Sequence, residues 1–197
     1  KPLRAPRHPR AHRASSDDVP ARVGDVVRVE CASVTTTGEG VCRLPDGLVF
    51  LCEGATPEER VEATVTRVKK NLARGTKTRT IEPSMHAVEP RCPHHGTCGG
   101  CGWQHHAYDA QVAHKRDIVV DAMTRVGKVR DANGTVDACA RAVETFEYRN
   151  TMEFAFATST SEREGVDVGL RPRGSNASVV DLSAGCALQS DEANAAL

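Results

Sequence analysis

No run of apolar residues in this chain approaches the ~20 needed to span a bilayer, and the best candidate, around Ile118 to Ala122, is broken by charge. Membrane insertion is therefore not expected. Net charge is also missing, with 26 basic and 26 acidic residues, but the balance hides an asymmetry. Residues 1–16 contain no acid and hold Lys1, Arg4, Arg7, Arg10 and Arg13. Setting those five aside leaves 21 basic groups against 26 acids, a net of −5, so the part expected to fold is mildly acidic. An acid-free start rich in Arg, Ala and Ser is like the tail of an organelle transit peptide; a basic arm touching nucleic acid is the rival reading. The chain opens on Lys rather than Met, which fits a processed or missing start. Delivery to a chloroplast or mitochondrion is the expectation, with the cytoplasm as the alternative.

What the chain does have is eight cysteines in 197 residues. Three of them, Cys92, Cys98 and Cys101, lie in the run RCPHHGTCGGCGWQ from Arg91 to Gln104, a Cys-x5-Cys-x2-Cys pattern that presents three thiolates to one metal centre. Cys186 is the best candidate for a fourth ligand. Gly99 and Gly100 are expected to let the backbone fold tightly around the bound group. Such clustering reads as a metal site rather than a disulfide scaffold, and so implies reduced thiols. Soft thiolates select zinc or iron–sulfur clusters. Structural zinc usually uses two short Cys-x-x-Cys knuckles, and here there is one, so the spacing favours iron–sulfur over zinc. His94, His95, His105 and His106 are alternative ligands or solvated loop residues.

Length suits one large or two small domains. From Val23 to about Ile81, short apolar runs alternate with turn signals such as Gly38-Glu-Gly40 and Pro45-Asp-Gly47, which predicts a small β-barrel. Its last strand starts at Val61, alternates to Val68, and continues into a stretch with six basic groups between Arg67 and Arg79 and no acid. Lys69, Lys70, Arg74 and Lys77 are candidate phosphate contacts on a barrel of the oligonucleotide-binding type; a solvated edge hairpin protected from aggregation by its charge explains them equally well. Cys31, Cys42 and Cys52 are expected to pack as small apolar residues. After the cysteine loop, Tyr108, Val112, Val119, Met123 and Val126 recur at helical spacing and predict a helix from about His105 to Gly127 with that stripe in the core. Cys139 is expected to be a packing residue. From Tyr148 the period becomes two: Met152, Phe154 and Phe156, then Val166, Val168 and Leu170, then Val180 and Leu182, an antiparallel meander that delivers Cys186 to the loop. Arg149, Arg171 and Arg173 lie on or beside these strands as candidate RNA contacts, with Tyr148 or Trp103 available to stack on an unpaired base. The fold class is thus mainly β with α. The boundaries read as an arm over 1–22, a barrel over 23–82, a metal-stapled α+β domain over 83–189, and a linker or the start of a further domain over 190–197.

Three stretches resemble the N-terminal portion of the RNA (uracil-5-)-methyltransferase family. Residues 23–82 are similar to its TRAM domain, including Gly38-Glu-Gly40 and the segment from Glu53 to Val61. Cys92 to Tyr108, with Gln111 and Lys115, resembles its cluster loop and helix. Tyr148 to Phe156, with Gly169 to Arg171 and Val180 to Cys186, resembles its central domain and fourth ligand. The resemblance implies a four-iron, four-sulfur (4Fe-4S) cluster on Cys92, Cys98, Cys101 and Cys186, an rRNA or tRNA partner, and a monomer. In such enzymes a cysteine adds to C6 of uracil and C5 then takes a methyl group from S-adenosylmethionine. No glycine-rich cofactor loop or Asp-Pro-Pro-Arg segment occurs here, so S-adenosylmethionine is implied only for a domain expected downstream. A non-catalytic RNA-binding module with a cluster or zinc is the alternative. Radical enzymes that add sulfur to RNA also pair TRAM with a cluster, but their cysteine spacing and domain order differ.

Overall fold

The computed structural model describes residues 21–158, 165–176 and 178–196. The basic start, read above as a transit-peptide remnant, and most of the expected turn from Thr158 to Gly165 lie outside the described residues. Two compact units emerge from the contacts: one contains Glu39–Glu82 with the residues up to Ser33, the other Val34–Gly38 with Pro83–Leu197.

The first unit is a five-stranded closed barrel. Strands β1 (Val26–Val34), β2 (Gly40–Arg43), β3 (Val49–Glu53), β4 (Arg60–Lys69) and β5 (Leu72–Glu82) close in the order β1-β2-β3-β5-β4. Every neighbouring pair with a defined register is antiparallel except β3 and β5, where Phe50 faces Ala73 in a parallel pairing. The period-two pattern explains the burial. Val29 and Cys31 on β1 point inward, as do Val61, Ala63 and Val65 on β4, while their neighbours face out. Phe50 is fully buried, and it fits because position 75 is glycine: a Cβ there would lie 2.5 Å from the Phe50 ring and 2.3 Å from the Thr64 carbonyl. Cys31, Cys42 and Cys52 are core residues, at most 1% exposed. The basic stretch is not the tail of one long strand. It bends between Lys69 and Leu72 into a β4–β5 hairpin with register shifts along its length.

In the second unit the core is small: Leu182, Cys186 and Leu188, with Cys101, Phe146, Met152, Phe154, Leu170 and Val180 packed against them. The meander is present as β6 (Ala155–Thr158), β7 (Val166–Leu170) and β8 (Val180–Asp181), antiparallel in that order. Helix α1 runs Tyr108–Arg125, three residues later than expected at its start, and its apolar stripe is not core. Val119 is 47% and Val126 83% exposed, and Ala110 is the buried residue of the helix. Polar bonds hold α1 instead. Gln111 Nε2 donates to the Trp103 and His106 carbonyls at 3.0 and 2.7 Å. Arg116 donates to the Asn133 and Val136 carbonyls beside the short helix α2 (Ala132–Thr135). Cys139 is only half-buried, so it does not pack as expected. None of the described helices is long and apolar enough to cross a membrane.

Candidate metal site and RNA-facing surfaces

The meander brings Cys186 to the cysteine loop. Cys98 forms an isolated bridge with Pro172, Gly99 N–H donates to the Arg171 carbonyl at 3.0 Å, and Arg173 N–H donates to the Thr97 carbonyl at 3.1 Å. Gly99 and Gly100 serve this seam by small size, not by unusual backbone angles. A Cβ on Gly99 would stand 3.0 Å from the Arg171 carbonyl, and one on Gly100 would stand 3.1 Å from Leu170. Neither has a positive φ. Arg173 adds a side-chain bond, with Nη2 donating to the Cys101 carbonyl at 2.8 Å.

All four cysteines are free thiols, Cys98 and Cys186 buried, Cys92 and Cys101 half-buried. They are electrostatic neighbours. Burial chiefly pushes the Cys101 thiol up; the Gln104 side chain opposes that by hydrogen bonding, and Cys186, Cys92 and Cys98 each raise it further. Gln104 also ties the loop together by accepting the Cys92 N–H at 3.1 Å. Among the described residues no three His, Cys, Asp or Glu side chains converge tightly enough to hold a single metal ion. Four thiolates on one zinc must sit about 3.8 Å apart, given Zn–S near 2.3 Å. A cluster carries each thiolate on a different iron and takes a wider set. One buried ring nitrogen beside the cysteines, Nε2 of His94, has no hydrogen-bond partner among the described residues. A buried polar atom of that kind usually has a bound partner. Four soft thiols are a donor set of the chemistry that zinc or an iron–sulfur cluster takes.

Cys186 is positioned by an element within 190–197, the stretch read above as a linker or the start of a further domain. Helix α3 (Asp191–Asn194) is N-capped by Ser190. Its Asn194 accepts the Cys186 N–H at 2.8 Å through Oδ1 and returns a bond from Nδ2 to the Cys186 carbonyl at 3.2 Å. The histidines are not solvated either. His95 and His105 contact at 2.9 Å, and His106, 1% exposed, stacks on His114 with ring nitrogens 3.1 Å apart. They fasten the loop to α1.

The candidate RNA contacts divide by what surrounds them. Lys69 and Lys70 are exposed at the hairpin tip, where Arg67, Lys69, Leu72 and Arg74 line a recess of about 220 Å³. Arg74 pairs with Glu39 at 3.2 Å and keeps half its side chain in solvent. Lys77 turns inward: its Nζ lies 3.1 and 3.2 Å from the carboxylate of Glu59, which is 2% exposed. Arg79 pairs with Glu62. In the second unit Arg149 is exposed, Arg171 bonds the Asn176 carbonyl, and Arg173 braces Cys101.

Residues 20–78 match the TRAM domain family. Over 166 residues the chain is 34% identical to an uncharacterized RNA methyltransferase of Nitratidesulfovibrio vulgaris, covering 84% of this chain and 34% of that protein. Over 98 residues it is 43% identical to the 23S rRNA (uracil(1939)-C(5))-methyltransferase RlmD of Azoarcus sp., covering 50% of this chain and 22% of that protein. This chain is a TRAM-bearing relative of the RNA methyltransferases. It spans about a third of the length of the first relative. The fold is shared with the Pyrococcus abyssi tRNA (uracil-54, C5)-methyltransferase in complex with S-adenosyl-L-homocysteine, at 20% identity and a TM-score of 0.53, over 85% of this chain and 34% of that one. The TRAM barrel thus carries the hairpin with Lys69 and Lys70, and the four cysteines belong to the unit that follows it.

Proposed function

We propose that this chain is the RNA-recognition and 4Fe-4S-cluster portion of an S-adenosylmethionine-dependent RNA (uracil-5-)-methyltransferase acting on rRNA or tRNA. The observation that carries the reading is the seam that holds the meander leading to Cys186 against the Cys92–Cys101 loop, with Cys101 packed on the Cys186 core, in a chain whose relatives are RNA methyltransferases. Cys92, Cys98, Cys101 and Cys186 would hold the cluster. With four protein ligands it offers no open iron, so its contribution is to cross-link the second unit rather than to react. The chain's own residues grip and orient RNA: Lys69, Lys70 and Arg74 on the TRAM hairpin, Arg149 and Arg171 near the cysteine seam. Lys77 and Arg173 have internal duties and support that surface indirectly. The acid-free start supports delivery to a chloroplast or mitochondrion, with the cytoplasm as the alternative.

The test has two arms. Anaerobically purified protein should contain iron and acid-labile sulfide in equal amounts, both lost in Cys101→Ser; one equivalent of zinc without sulfide would overturn the cluster. Affinity for single-stranded RNA should fall with salt, each phosphate contact contributing about −0.7 to the log–log slope. Absence of RNA binding would remove the recognition role.

A further inference from the structure

Beside the cysteine loop, wholly within the second unit, lies a cavity of about 600 Å³, a size typical of ligand sites. Trp103, Tyr108, Phe146 and Tyr148 give it an aromatic lining, and Cys101 opens onto it. Most of the wall is already committed. Trp103 Nε1 donates to the Gly38 carbonyl, the Tyr108 hydroxyl accepts the Ala142 N–H, and the Arg91 guanidinium covers the Phe146 ring at 4.9 Å while pairing with Glu147. Tyr148 is different. Its ring is 57% exposed, and its hydroxyl has no partner among the described residues. The remaining charged lining groups are Lys115, Arg149, Glu89 and Glu144, two of each sign. That balance does not suit a phosphate. It suits a neutral, flat group with both donors and acceptors on its edge, whose faces stack on aromatic rings.

We infer that this cavity receives one unpaired nucleobase of the bound RNA, stacked on Tyr148, with Lys115 and Arg149 beside the flanking backbone. The inference rests on the RNA-binding reading above and adds to it a specific seat for a splayed-out base. A base in this seat would also lie against the loop of Cys101, so RNA binding and an intact cysteine site would support each other.

The experiment is photocrosslinking of the anaerobically purified chain to a single-stranded RNA containing 4-thiouridine, with peptide mapping, beside anisotropy measurements of overall affinity. The expected crosslinks fall at Tyr148 or Trp103. Tyr148→Ala should weaken binding roughly tenfold, as loss of one stacked base does, and lose the crosslink, whereas Tyr148→Phe keeps both. Lys115→Ala, at an exposed position, should weaken binding without moving the crosslink. Wild-type binding with crosslinks confined to the Lys69–Arg74 hairpin, or unchanged affinity in Tyr148→Ala, overturns the seat and leaves RNA recognition standing. No anisotropy change with wild type overturns the recognition reading and the seat with it.

Discussion

Glu59 and Lys77 show how single residues decide what a charge can do. A buried carboxylate is tolerated when paired, and removing one partner leaves an uncompensated charge. Lys77→Met should therefore destabilise the barrel by about 3–5 kcal/mol in chemical denaturation, while the double variant with Glu59→Gln recovers most of that loss; equal losses in both would refute the pairing. Two other side chains make pH predictions. The Arg79 and Arg28 guanidinium groups bonded to Glu62 hold its carboxyl below the ordinary 4.5. A depressed carboxylate contributes stability above its unfolded value and loses it as pH falls through the folded one. Carboxyl NMR should show Glu62 titrating low, and Glu62→Gln should flatten the acid limb of stability. Burial, then the neighbouring Cys31, pushes the Cys52 thiol from 9.0 up to about 12. That sign is opposite: the contribution is complete below 9.0 and lost as pH climbs toward 12. The hydrogen bond with Cys31, then burial, likewise pushes the Cys42 thiol up. Native protein should resist alkylation at Cys42 and Cys52 at neutral pH, with mass spectrometry finding label there only after unfolding.

At the scale of elements, the β4–β5 hairpin and α1 carry the clearest contrasts. Replacing Lys69 and Lys70 by Ala should weaken RNA binding and reduce its salt slope by about 1.4, two contacts at 0.7 each; an unchanged slope would clear the hairpin of phosphate contact. Val126→Ser at the C-terminal cap of α1 should change stability by no more than about 0.5 kcal/mol, as exposed positions do, although helical spacing alone marks it as core. These two elements also show what a sequence reveals. The barrel was legible because alternation from Val61 to Val65 records which residues face inward. The turn inside the basic stretch was not, because Lys70 and Asn71 include neither Gly nor Pro to announce it. The stripe on α1 misled because periodicity reports an apolar face without saying what covers it. At the candidate site, the cysteine spacing was readable, but the Arg173 bond to Cys101 and the Asn194 clasp on Cys186 join residues far apart or in a polar tail. Pairings of that kind leave no local pattern.

For the whole molecule, the two units depend on different things. The barrel rests on a cluster of eleven buried residues around Phe50, whereas the second unit's core cluster has three, Leu182, Cys186 and Leu188, and leans on the cysteine seam. Chelation or oxidation of the proposed cluster should raise hydrogen exchange throughout residues 83–196 and leave β1 to β5 protected; a uniform rise across both would show that the barrel relies on the metal too. The placement of Cys186 has a further consequence, for biosynthesis. The first three of the proposed ligands are made well before the proposed fourth, which emerges only after the meander has been translated. At about 5–20 residues per second, the interval from Cys101 to Cys186 occupies on the order of ten seconds. During that wait the proposed site has three of its four thiols, so insertion of the proposed cluster would follow emergence of the strand bearing Cys186 or would need the three thiols shielded until then.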